Sequence, residues 1–467
     1  MSSILEAEIQ AVVEPPMAPI NTEVYTSTAP PRAPLTEEEW ANMDKPKVLI
    51  VGAGIGVGIL EEFKKIGKLN TRLDVFDEER KPLFQVDFTK RPKYCGAEEY
   101  IFARPDLYDL LLRQIPQENI HLGKKVLSFE QNDLGVMLRC NDNKTHHGDI
   151  LVGADGAHSA VRQQLFKVLK AKKLLPASDE GDLPFDCVCL VGQTEVLDPE
   201  EFPDMKLSHS KFNSVLGADY DWVQATTIRN TICWVVIQRL TSETSKKNDA
   251  FRSSEWGPEA ADIMCNEIRD FKIPGGKDSN LTMGDLIDKT PKHLICKVML
   301  EEKVFSKWHG GRTVLLGDAC HKLNPSGGAG ALTAMHDGVA LANWISTLHK
   351  PELADIEAIF AEYQAERLPV AKEAVATSKL FKNMGGKTML SVLSRSLFRN
   401  MPQWLLKQIL IKMVAARPQV TFLPLVEDTG SAKPRYQPSL EKTLAIHKMR
   451  AAKKQAAPSP TEPTVAV

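Results

Sequence analysis

Asp318 stands at the end of a short apolar run, Val314-Leu315-Leu316-Gly317, and a glycine-rich loop follows it. The run reads as a buried strand. The loop, Pro325-Ser-Gly327-Gly328-Ala329-Gly330, reads as the entry to a helix from about Ala331 to Trp344. A carboxylate at a strand end can accept hydrogen bonds from a chain of hydroxyl groups. Gly328, Gly330 and Ala331 leave backbone bare at a helix start, where free N–H groups and the positive dipole end face a negatively polarised ligand edge. The plainer role for Asp318 is a turn or helix-capping aspartate. The pairing of Gly-Asp-Ala with a glycine loop favours the ligand role.

Two other strand-to-turn segments share this design. Val48-Leu-Ile-Val-Gly52-Ala-Gly54-Ile-Gly56 is a strand entering a glycine turn, where backbone can approach a pyrophosphate. Val57 follows these glycines, so alone they are a weak signal. Asp149-Ile-Leu-Val-Gly-Ala-Asp155-Gly156-Ala-His-Ser-Ala-Val-Arg162 is a strand, a turn and a helix. Asp155 there serves either a ligand or simply the helix N-terminus. Phe102-Ala-Arg104-Pro-Asp-Leu107 puts an arginine before a proline-led helix. A hydroxylated chain, a diphosphate and a ring edge that turns anionic on reduction are the parts of a flavin dinucleotide.

In this order the segments resemble the class A flavoprotein monooxygenases, the para-hydroxybenzoate hydroxylase type. Among them, the fungal FAD-dependent monooxygenases of secondary metabolism look closest. The resemblance covers roughly residues 47 to 350. It implies an α/β fold: a Rossmann-like FAD-binding domain, an inserted mixed β-sheet for the substrate, and a helical C-terminal region. It implies FAD as cofactor and NAD(P)H as co-substrate. O2 would be used through a flavin peroxy adduct to hydroxylate or epoxidise an apolar or aromatic small molecule. The cofactor residues carried over are Gly52, Gly54, Gly56, Arg104, Asp155, Gly156, Asp318, Pro325, Gly328, Gly330 and Ala331. Pro325 would lie near the reactive flavin edge and Arg104 near the phosphates or ribityl chain. No protein nucleophile or metal is required, and His158 and His321 read as solvated or structural.

Bulk properties narrow the classes. The 467 residues suffice for two or three cores. A net charge of −2 gives no general attraction to nucleic acid. The eight cysteines form no CxxC pair, so neither a zinc site nor a redox disulfide is indicated; Cys187 and Cys189 should share one strand face, reduced. No apolar run reaches transmembrane length, and a cytoplasmic location fits, with membrane association as an option.

The expected layout has a disordered leader over 1–45 and an FAD-binding domain over 46–182 and 301–350. A substrate domain spans 183–300, a helical region 351–450 and a disordered tail 451–467. In the substrate domain, Trp222, Trp234 and Trp256 either line a pocket or pack as ordinary core. Residues 389–413 should form two helices broken at Pro402. They either cover the main body, the preferred reading, or lie at a membrane interface.

One segment departs from the family pattern. After the glycine turn, helix 57–66 and strand 72–76 could complete a βαβ unit, with Asp77 or Glu78 as the ribose acid. Alternatively a block is missing, and 72–76 with 82–88 form a hairpin of the substrate sheet. The second reading is preferred: Glu61, Glu62, Lys64 and Lys65 suit a surface helix, not one packed tightly on a strand. Its consequence is an alternative function, a catalytically impaired paralogue or truncated form that binds FAD weakly or not at all.

Overall fold

The computed structural model describes residues 46–51, 60–181, 183–240, 258–277, 280–349, 352–386 and 388–456. The expected leader, Gly52, Gly54, Gly56, Trp256 and the last eleven residues lie outside that set. Strands β1 (Val48–Val51), β9 (Ile150–Gly153) and β17 (Thr313–Leu315) run parallel, and β16 (His309–Gly310) closes the order β1-β9-β17-β16. Every residue of β9 is buried, which is why Ile-Leu-Val-Gly reads as a continuous apolar run and not an alternating one. Helix α4 (Ala160–Ala171) returns over this sheet with Val161, Leu165 and Leu169 inward.

The second sheet has seven strands, in order β14-β10-β13-β12-β11-β3-β4. These are β3 (Arg72–Asp77), β4 (Pro82–Asp87), β10 (Phe185–Gln193), β11 (Phe212–Leu216), β12 (Tyr220–Thr226), β13 (Ile232–Arg239) and β14 (Cys296–Glu301). All its pairings are antiparallel except β11 with β3. Its core includes Trp222, Trp234, Val236, Met264 and Ile268. Trp222 donates to the Lys272 carbonyl (3.2 Å) and Trp234 to the Thr290 hydroxyl (3.0 Å), so both tryptophans are satisfied core residues. Cys187 and Cys189 share one buried cluster and are free thiols, as their alternation implied.

The hairpin reading of 72–88 matches what is observed. β3 pairs with β4 through a turn in which Arg80 has φ +66°, and it makes no pairing with β1. Asp77 accepts from the Lys81 amide (2.8 Å) and Glu78 from the Ala218 amide (3.0 Å). The βαβ alternative therefore gives way, because the hairpin and β11 take up both edges of β3. Helix α1 (Leu60–Ile66) buries no residue fully and docks Phe63 edge-on to Phe102, 5.0 Å between centroids.

Helix α7 (Gly330–Ile345) follows the glycine loop and packs on α8 (Leu353–Lys382). The chain then breaks at Pro402 into α9 (Met389–Arg399) and α10 (Gln403–Val414). The last described helix, α11 (Pro438–Ala456), corrects one boundary. The tail was expected from 451, but Ala-Ala-Lys-Lys-Gln-Ala consists of strong helix formers and prolongs the helix to 456.

Candidate functional site

The strand register places the site. Val51 pairs with Gly153, and Gly153 with Leu315, so β1, β9 and β17 end at one level. Immediately beyond the ends of β9 and β17 come Asp155-Gly156 and Gly317-Asp318. The crevice outside the carboxyl ends of parallel strands is where open α/β sheets bind ligands.

Small residues make this convergence possible. A Cβ on Gly153 would sit 2.8 Å from the Val161 Cβ, so α4 presses directly on β9. Gly317 has φ +62°, and its added Cβ would lie 2.9 Å from the Ala334 Cβ, which brings α7 against the turn. Asp155 is partly spent locally: it accepts from the Ser159 hydroxyl (2.5 Å) and the Val161 amide (3.2 Å). Asp318 is half-buried and pairs with Lys322 at 2.6 Å, one helical turn on.

The glycine loop is held from below and open above. Asn324, buried, accepts from the Ser326 amide (3.0 Å) and hydroxyl (2.7 Å), which sets the turn that Pro325 begins. Gly327 abuts Ser378 of α8 so closely that a Cβ would come within 2.4 Å of its hydroxyl. Gly328 adopts φ +60°, and neither it nor Gly330 has any atom within 4 Å of an added Cβ. Ala329, at the N-cap of α7, supplies no side-chain cap. The first-turn amides of this sixteen-residue helix, at Gly330 and Ala331, therefore have no side-chain cap and carry the dipole's positive end behind them.

Arg104 opens helix α3 (Arg104–Leu112) and is exposed, with no hydrogen bond or ion pair among the described residues. It stands near β14: burial raises the Cys296 thiol pKa, and the Arg104 charge opposes that rise. It thus flanks the larger sheet, whereas Asp155 and Asp318 follow the smaller one. His158 is exposed and lies 3.6 Å from Glu301. A cleft of about 430 Å³ opens there, along the α4 side that carries Arg162 and Phe166, away from the glycine loop.

Two buried cations and one buried carboxylate were not singled out from the sequence. Arg162 donates to the carbonyls of Ala319 (2.9 Å) and Ala157 (2.5 Å), tying the Asp155 turn to the Asp318 turn. Asp337, fully buried on α7, binds His321 Nε2 (2.5 Å) and Arg367 Nε (2.6 Å) and accepts from the Gly317 amide (3.3 Å). His321 is therefore structural, as expected. The available signal was a charged residue at a helix position otherwise flanked by Val339, Ala340 and Leu341; its partners lie 16 and 30 residues away and could not be paired from sequence.

Comparisons with known proteins find similarities over parts of the chain. Residues 288–378 match the FAD binding domain family. FAD-dependent monooxygenase paxM of Penicillium paxilli is 33% identical over 246 residues, covering 51% of this chain and 47% of that protein. FAD-dependent monooxygenase esdpE of Penicillium shearii is 27% identical over 288 residues, 58% of this chain and 55% of its own. The chain thus spans about half the length of these two curated relatives. In fold it is similar to Klebsiella pneumoniae HpxO, solved with FAD and uric acid: TM-score 0.58, 19% identity, 76% of this chain and 82% of that one. Over part of its length the chain is thus similar to fungal FAD-dependent monooxygenases, and its mixed α/β fold is similar to that of the solved structure.

Proposed function

We propose that this chain is an FAD-dependent monooxygenase that takes electrons from NADH or NADPH and transfers one oxygen atom of O2 to an apolar or aromatic small molecule. The observation that carries the reading is the convergence of three parallel strand ends beside the uncapped start of α7. The donor set suits a flavin. Asp318 offers a carboxylate to ribityl hydroxyls, and Gly330 and Ala331 offer amides to the ring edge that becomes anionic on reduction. Gly328 and Pro325 would be the loop residues beside the flavin ring, and Asp155 with Gly156 would serve the diphosphate. Arg104 is a free cation suited to phosphate oxygens. Bound flavin supplies the redox and oxygen chemistry; the protein orients substrate and excludes water.

The adenosine end rests on fewer groups. Asp77 and Glu78 are engaged in the β3–β4 turn and its surroundings, and no strand pairs with the outer edge of β1 among the described residues. Retention of FAD therefore depends on the flavin and diphosphate half. The test is an absorbance titration of purified protein with FAD, followed by NADPH and NADH oxidation with apolar aromatic candidates. A perturbed flavin spectrum at near-stoichiometric loading, with substrate-stimulated NAD(P)H oxidation, is the expected result. Protein that stays colourless at saturating FAD would overturn the reading and leave an impaired paralogue.

A further inference from the structure

Helix α9 is fastened to the body by its polar and aromatic side. Phe398 packs on Phe84 at 4.7 Å between centroids, and Arg395 donates to the carbonyls of Met384 (2.8 Å) and Gly386 (2.9 Å). Its aliphatic side faces solvent: Met389 is 89% exposed, Val392 53%, Leu393 54% and Leu397 63%. The spacing 389, 392, 393 and 397 is one helical stripe, the inverse of an ordinary surface helix, which turns its apolar stripe to the core. Pro402 starts the next helix, and Trp404 (67% exposed) and Leu405 continue the apolar surface.

Charge chooses the occupant. From residue 374 to residue 426 the chain has no Asp or Glu and eight Lys or Arg. Of these, Lys379, Lys382, Lys412 and Arg417 are paired with Glu302, Asp186, Glu373 and Asp428, and Arg395 donates to carbonyls on the side held to the body. Arg399 and Lys407 are exposed and have no ion pair among the described residues. A second copy docking by two-fold symmetry would press this basic patch on itself. An anionic lipid surface instead accepts the aliphatic stripe, the interfacial Trp and the bases together. Among the described residues no helix is long and apolar enough to cross a membrane, so the contact lies in the plane of the surface.

We propose that α9 and the start of α10 form a docking face for an anionic phospholipid membrane. The full chain should float with phosphatidylcholine vesicles containing phosphatidylserine, and bind phosphatidylcholine alone about tenfold less or weaker, the charge contribution shrinking in high salt. Leu393→Asp with Leu397→Asp should abolish flotation while leaving the near-ultraviolet circular dichroism and urea midpoint unchanged, since both side chains face solvent. Arg399→Glu with Lys407→Glu should remove the preference for anionic lipid. Failure to float on either vesicle would overturn the proposal, as would binding indifferent to lipid charge and salt. A stable dimer by light scattering that the Leu393/Leu397 pair converts to monomer, without flotation in either form, would assign the face to a second copy instead.

Discussion

Asp337 and Asp318 carry opposite expectations although both lie beside the Gly317 turn, one on α7 and one in the turn itself. Asp337 is fully buried and shared by His321, Arg367 and the Gly317 amide. Asp337→Asn leaves Arg367 without its buried counter-charge, so unfolding should become about 3–5 kcal/mol easier in urea titrations. Burial pushes the Asp337 pKa up, but His321 and Arg367 outweigh it and hold it below the usual carboxylate range. Its contribution to stability is therefore complete above the ordinary aspartate range and is lost as pH falls through the lowered value. Asp318 makes a partly buried pair with Lys322 one helical turn on, near the surface kind worth about 0–1 kcal/mol. Asp318→Ala should hardly move the urea midpoint, yet weaken FAD by about ten- to a hundredfold if its carboxylate holds flavin hydroxyls. An unchanged FAD titration curve in that variant would reduce Asp318 to a turn residue. Asp318 was legible in the sequence because its neighbours are a local pattern; Arg367 was not, because nothing within its own helix calls for a buried cation.

At the scale of elements, β9 and α4 meet at a joint with no room for a side chain. Gly153→Val should drive α4 off the sheet, cost about 1–3 kcal/mol in overpacking and displace the Asp155 turn. The check is paired: a lowered urea midpoint and a weakened FAD titration in one variant, against a silent Ser159-distal control such as Lys172→Ala. Strands with apolar runs or alternation were readable: the segment opening at Asp149 was read as strand, turn and helix and holds β9, and 72–76 was found within one residue of β3. Strands β11 and β12 went unseen because they carry buried polar residues. Asn213 and Gln224 both donate to the Pro274 carbonyl, at 3.1 and 2.5 Å. Those amides are affordable inside a sheet only once a distant segment supplies the acceptor, and sequence pattern carries no trace of that partner.

The described residues form two main cores, one around β9, β17, α4 and α7 and one around the seven-stranded sheet. The protein's acid response should reflect two histidines of the first body. Burial lowers the His309 pKa to about 4, with Lys307 adding to it, and lowers the His336 pKa to about 4, with Arg367 adding to it. Each folded-state value lies below the unfolded value of 6.5, so the folded protein binds fewer protons in between. Stability should be at its plateau above pH 6.5 and decline as pH falls toward 4. Urea midpoints across that window should fall less steeply in His309→Gln with His336→Gln; an unaltered slope would place the acid response elsewhere.

What the sequence determined by itself is local: the strand-turn-helix segments, the glycine loop and the Pro402 break. Each depends on neighbours within a turn or two, where residue type dictates backbone conformation directly. The tertiary structure decided which sheet owns 72–88, since a hairpin and a βαβ strand share one apolar alternation and differ only in their partners. It also decided which way α9 faces. Amphipathicity sets the two sides of a helix, and the body to which Arg395 and Phe398 attach determines which side is left to the solvent.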